Sequence, residues 1–79
     1  MTRDQAVAVL WRALHEVAPE ADLAAVDPDG LLQDEVGLDS IDFLRVVDIV
    51  GAAAGADIPE RDFPSLSTFR AFVSYLAAT

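Results

Sequence analysis

Ser40 stands in the run Gly37-Leu38-Asp39-Ser40-Ile41-Asp42, between a polar loop and a long apolar stretch. This placement puts a serine hydroxyl at the predicted start of a helix, beside two carboxylates. Unpaired backbone N–H groups and the positive end of the helix dipole favour an anion there. A phosphate ester on this oxygen would lie in a favourable field. The ordinary reading of such a serine is an N-cap, and the Asp39-Ser40 pair alone supports nothing more. Hydrolase chemistry is a further reading to weigh. It needs a base held against the serine and a third group to orient that base. The chain has one histidine, His15, and no nucleophile-elbow glycines flank Ser40. His15 is therefore expected to be a solvated or half-buried helix residue, and the chain is not expected to be an enzyme.

The acidic loop before Ser40 raises the question of a metal. A calcium loop needs oxygen ligands at fixed positions around a glycine and a glutamate at its end. With Gly30 as that glycine, Asp27 and Asp29 fit, but Ala25 and Val36 fall on the first and last ligand positions. With Gly37, those positions are Leu32 and Phe43. Both registers fail, and no metal is expected.

The elements that position Ser40 follow from apolar spacing. The chain has 79 residues, enough for one small domain over 1–79. Its hydrophobic content of 53% is too high for a disordered chain. Thr2 and Gln5 fit a capping box, and Val7, Leu10, Trp11, Leu14 and Val17 recur at helical spacing. A first helix over about residues 3–17 follows, ending near Pro19. Residues 18–38, with Pro19, Pro28, Gly30, Gly37 and six acidic residues, read as a long loop holding at most one short helical turn. Leu23, Val26, Leu31 and Leu32 are expected to pin it to the core.

A second helix starts at Asp39 or Ser40, with Asp39 and Asp42 as an acidic capping pair. Phe43, Leu44, Val46, Val47 and Val50 form its apolar face; Ile41, Arg45, Asp48 and Ala52 follow the opposite one. Gly51 is expected to weaken the last turn, and Gly55 suits the residue just past the end. Pro59 opens a short turn through Phe63 that Pro64 stops, and Ser67 caps a last helix bearing Phe69, Phe72, Val73 and Leu76. The fold class is all-α: a small four-helix bundle of three main helices and a short third one.

Charge narrows the partners. Fourteen acidic residues against five arginines give a formal net charge of −9. Such a chain repels phosphate backbones and anionic membrane surfaces, so neither nucleic acid nor membrane is expected as a partner. Basic protein partners are favoured by steering, and solubility is the plainer use of the same charge. No apolar run approaches the roughly 20 residues that cross a bilayer. The N-terminus lacks the order of a signal peptide, so cytoplasmic is the default. The chain carries no cysteine, hence neither disulfides nor thiolate metal ligands.

Gly37-Leu38-Asp39-Ser40-Ile41 resembles the phosphopantetheine attachment motif of acyl carrier proteins. Gln33-Asp34-Glu35-Val36 looks like the acidic stretch leading into that motif. Asp57-Ile58-Pro59-Glu60-Arg61-Asp62-Phe63 looks like the family's short third helix, and Ser67-Thr68-Phe69 through Tyr75-Leu76 like its last. The resemblance covers essentially the whole chain. It implies a cofactor, 4′-phosphopantetheine, attached covalently at Ser40 with Asp39 beside it in the attachment site. A separate phosphopantetheinyl transferase would supply the arm from coenzyme A using Mg²⁺. The arm's thiol would carry acyl groups as thioesters for acyl-loading, condensing or acyltransferase enzymes. These would recognise Ile41, Asp42, Arg45 and Asp48. A monomer that catalyses nothing itself is implied.

Two departures refine the resemblance. Ile41 replaces the leucine common after the serine, a mild change. Arg45 stands where many members carry glutamate, so the exposed helix face is mixed rather than acidic. This favours a dedicated polyketide, lipid or specialised-metabolite pathway over housekeeping fatty-acid synthesis. Leu38-Asp39 fits acyl carriers better than peptidyl carriers, which tend to have Gly-Gly or Gly-His. The alternatives are an aminoacyl or peptidyl carrier, and a small acidic interaction domain without a prosthetic group.

Overall fold

The computed structural model describes residues 1–78. Helix α1 spans Arg3–Val17 and opens on the expected reciprocal cap. The Gln5 N–H donates to Thr2 Oγ1 at 3.1 Å, and the Thr2 N–H to Gln5 Oε1 at 2.9 Å. Ala6, Leu10, Ala13 and Leu14 are fully buried; Val7, Trp11 and Val17 flank them half-buried. The Trp11 ring lies 4.3 Å from that of Phe69. Full burial of each leucine is worth roughly 2 kcal/mol, so this stripe decides how α1 packs.

The long connection is more ordered than a loop. Leu23–Ala25 forms one 3₁₀ turn, and Leu32–Val36 forms a short helix α2. Leu32 is fully buried, and Leu23 and Val26 pack half-buried against the core. Leu31 does not pin the loop as expected: it is 57% exposed, because its backbone is used instead in an isolated bridge to Thr68. The Leu32 N–H donates to the Ser67 carbonyl at 2.8 Å and the Arg70 N–H to the Pro28 carbonyl at 3.0 Å. Arg70 closes the same seam, its Nε 2.7 Å from Asp29 Oδ1.

Helix α3 spans Ser40–Ala54 and packs on α1, as does the last helix α4, Phe69–Ala78. Phe43, Val46, Val47 and Val50 face the core as expected; Leu44 does not, standing 46% exposed at the edge of that stripe. Gly51 also departs from expectation. It is buried, and a Cβ there would meet the Ala56 carbonyl oxygen at 2.9 Å. The glycine is what lets the chain fold back on the helix end. Gly55, at φ 64°, and the bond from the Ala56 N–H to the Gly51 carbonyl complete that reversal.

A 3₁₀ segment, Glu60–Leu66, takes the place of the short third helix. Pro59 sits before its first residue, and Pro64 lies inside it rather than ending it. The looser hydrogen bonding of a 3₁₀ segment tolerates a residue without an N–H. The segment leans on α4, fixed by fully buried Leu66 and by the Tyr75 hydroxyl donating to Asp62 Oδ2 at 2.7 Å. Thr68, not Ser67, caps α4: its Oγ1 accepts the Ala71 N–H at 3.0 Å. Ser67 is instead held by its carbonyl in the seam with Leu32.

Candidate functional site

Each residue of the Gly37–Ile41 run has its own physical task. Gly37 adopts φ 80°, a left-handed turn that closes α2 and that other residues enter only with strain. The Gly37 and Leu38 N–H groups both donate to the Gln33 carbonyl, at 2.9 and 2.8 Å. Leu38, only 6% exposed, anchors the turn in the core. Asp39 is extended, and its Oδ1 accepts the Asp42 N–H at 2.7 Å. Asp39 is therefore the N-cap, and Ser40 is the first helical residue.

Because Asp39 takes the cap, the Ser40 hydroxyl is left without a hydrogen bond among the described residues. The side chain is exposed. The Ser40 and Ile41 N–H groups likewise have no acceptor among the described residues. These two donors and the helix dipole point at the space beside the hydroxyl, a setting that suits a phosphate ester. An ester there would be solvated by water on its outer side.

Ser40 borders a cleft of about 430 Å³, lined also by Gln33, Phe43, Leu44, Glu60, Phe63, Pro64 and Ser67. One wall is the start of α3, and the other is the 3₁₀ segment with Ser67. Sequence reasoning singled out none of Gln33, Glu60, Phe63, Pro64 or Ser67 as site residues. They come from three separate stretches of the chain, and no spacing links them to Ser40. Only the stretches around Gln33, Phe63 and Ser67, as segments of the resemblance, marked that neighbourhood.

The expected recognition residues lie together on α3. Ile41 is 70% exposed, Arg45 and Asp48 are exposed, and Asp42 is half-buried. Arg45 forms no ion pair with Asp42 or Asp48 among the described residues. His15 lies elsewhere, with Trp11, Arg12, Leu23 and Ala24 around a separate surface hollow, so the structure does not bring it to Ser40. In the acidic loop, Glu35 accepts the Asp27 N–H at 2.7 Å, and the Arg70 guanidinium, by hydrogen bond and by charge, holds the Asp29 carboxyl below its ordinary value of 3.8.

The scaffold is small and all-α, and it presents the Ser40 hydroxyl uncommitted at a helix start beside an open cleft. The chain matches the phosphopantetheine attachment site family over residues 5–76, and it belongs to that family. Its domain is the site of covalent 4′-phosphopantetheine attachment, consistent with an acyl carrier protein. No curated protein gives a significant match to the chain. Among the described residues no helix is long and apolar enough to cross a membrane.

Proposed function

We propose that this chain is an acyl carrier whose Ser40 hydroxyl bears the 4′-phosphopantetheine arm. The observation that carries the reading is the division of labour between neighbours: Asp39 satisfies the helix end, which frees the exposed Ser40 oxygen. The free N–H groups of Ser40 and Ile41 would hold the phosphate oxygens, and the rigid α3 would fix the anchor's direction. When bound, the arm supplies a thiol that holds acyl groups as thioesters. The chain itself catalyses nothing and acts as a monomer, in the cytoplasm with its transferase. Ile41, Asp42, Arg45 and Asp48 form the face that partner enzymes read. The unpaired Arg45 on it supports a dedicated polyketide, lipid or specialised-metabolite pathway.

Incubation with coenzyme A, Mg²⁺ and a broad-specificity phosphopantetheinyl transferase, followed by intact mass measurement, tests this. The expected result is a single pantetheine-sized gain that Ser40→Ala abolishes while circular dichroism stays unchanged. No gain, under conditions that modify a control carrier, would leave only the small acidic interaction domain.

A further inference from the structure

Half of the basic side chains stand on α1: Arg3, Arg12 and His15, of five arginines and one histidine in the chain. Only two carboxylates, Asp4 and Glu16, share that helix. The two arginines cancel them, so the whole formal charge of −9 lies in residues 18–79. Helix α1 is neutral in an otherwise acidic molecule.

A hollow of about 580 Å³ opens on this helix, lined by Trp11, Arg12 and His15 and by Leu23 and Ala24 of the 3₁₀ turn. It shares no residue with the cleft beside Ser40, and no carboxylate lines it. Trp11, the one tryptophan of the chain, is half-buried and held by its packing against the Phe69 ring. Leu23 is half-buried beside it. Arg12 and His15 are exposed and make no hydrogen bond or ion pair among the described residues. Arg12 leaves even Glu16 unpaired, although a spacing of four on a helix puts the two side chains within reach.

We infer that this hollow is a second docking surface, and that its occupant is a segment of a partner protein carrying a large apolar side chain flanked by Asp or Glu. The apolar side chain would cover Trp11 and Leu23; tryptophan is among the residue types that dominate binding energies. The carboxylates would meet Arg12, which can clasp one through two N–H groups, and His15, which offers a ring N–H whether or not it is charged. Two observations choose this occupant. The hollow is wide for the five side chains that line it, too open to enclose a free small molecule, whose sites bury most of its surface. Its polar groups are unpaired donors, so a basic segment, which the acidic remainder of the surface attracts, finds nothing here to pair with. The inference goes beyond the carrier reading, because it uses neither Ser40 nor the exposed face of α3.

The test uses the intact chain and three blocked hexapeptides. The first has phenylalanine and leucine at its centre and two glutamates on each side. The second replaces the glutamates by lysines, and the third replaces the central pair by alanines. Trp11 fluorescence and backbone amide NMR shifts are followed during titration at low salt. The first peptide should shift the Trp11 emission and the amides of Arg12, His15, Leu23 and Ala24, and leave those of Ser40 and Ile41 in place. The alanine peptide should bind more weakly by roughly fivefold or more, through loss of apolar burial. Arg12→Glu should weaken the first peptide by about tenfold and Arg12→Gln by less, with circular dichroism unchanged in both. The lysine peptide should leave the amides of the hollow unmoved. No shift with the first peptide at millimolar concentration, shifts confined to α3, or equal binding of the lysine peptide at the hollow would overturn the inference. So would shifts of the same amides on concentrating the chain alone, which would assign the surface to a second copy.

Discussion

Asp39 and Ser40 are adjacent polar residues at one helix start, and either can cap a helix. The structure gives the cap to Asp39 through a 2.7 Å bond from the Asp42 N–H. A carboxylate suits that place because it meets both the unpaired donors and the positive end of the dipole. Asp39→Ala should therefore cost about 1 kcal/mol in urea unfolding, with Asp39→Asn costing much less. If Ser40→Ala proved the more destabilising change, the assignment of the cap would be wrong. Arg45 poses the opposite question, being a cation left unpaired between Asp42 and Asp48. An exposed pair there would contribute little, so the side chain is free to meet a partner. Arg45→Glu should leave the fold intact and weaken the cognate partner roughly tenfold, as reversal of an interfacial charge does. Equal partner kinetics for both proteins at low salt would contradict this.

At the scale of elements, the close of α3 shows where propensity yields to packing. Gly51 in a helix interior invites replacement by alanine, worth about 1 kcal/mol in an exposed helix. Here the added Cβ would lie 2.9 Å from the Ala56 carbonyl, and a backbone atom in a closed turn cannot step aside. Gly51→Ala should thus lose on the order of 1 kcal/mol rather than gain it, by thermal or urea unfolding. The connection before α3 is held by the seam between Asp29, Pro28 and Leu32 on one side and Arg70 and Ser67 on the other. Arg70, through its hydrogen bond and its charge, lowers the Asp29 pKa from 3.8. A carboxyl with a depressed folded value stabilises the fold above its unfolded value and loses that contribution as pH falls through the folded one. The stability difference between the natural chain and Asp29→Asn should be largest above pH 3.8 and shrink below it. A difference that grows on acidification would exclude the seam as its source. At the other end of the titration scale, Asp62 raises the Tyr75 phenol above 10.0 by accepting its hydroxyl. The contribution of that bond is complete below 10.0 and is lost as pH rises through the folded value.

Over the whole molecule the dominant fact is charge. Six acidic residues and no basic one lie within residues 18–38, and the chain carries −9 in all. Among the described residues only Asp29 is neutralised by an ion pair, with Arg70. Self-repulsion of this size opposes compactness and is screened by salt. Raising NaCl from about 0.01 M to about 0.5 M should stabilise the fold by roughly 0.5 kcal/mol in urea unfolding. The same change should slow association with any basic partner. A fold that salt destabilises would mean that attractive pairs outweigh the repulsion.

Much of this was legible before any coordinates. Helical spacing located α1, α3 and α4, because amphipathic stripes must face a shared core. The Thr2-Gln5 box and Gly55 marked helix ends, since caps act over three or four residues. Ser40 stood out for the same reason: its importance lies in a local run. What failed was non-local. Leu44 and Leu31 read as core residues by type, yet neighbours far along the chain leave them exposed. Gly51 read as a weakness, yet a returning backbone makes it necessary. Ser67 read as the cap of α4, yet Thr68 caps it and the Ser67 carbonyl is held in the seam with Leu32.

The sequence by itself determined an all-α chain with an anchor serine at a helix start, because helices and caps are set by neighbours a turn apart. Tertiary structure alone decided that the serine is uncommitted, that Gln33, Glu60, Phe63 and Ser67 gather around it, and that Phe43 lines their cleft against Phe63. Those relations join residues distant in the chain, and only the packing of α4 and the 3₁₀ segment against the rest of the bundle brings them within reach.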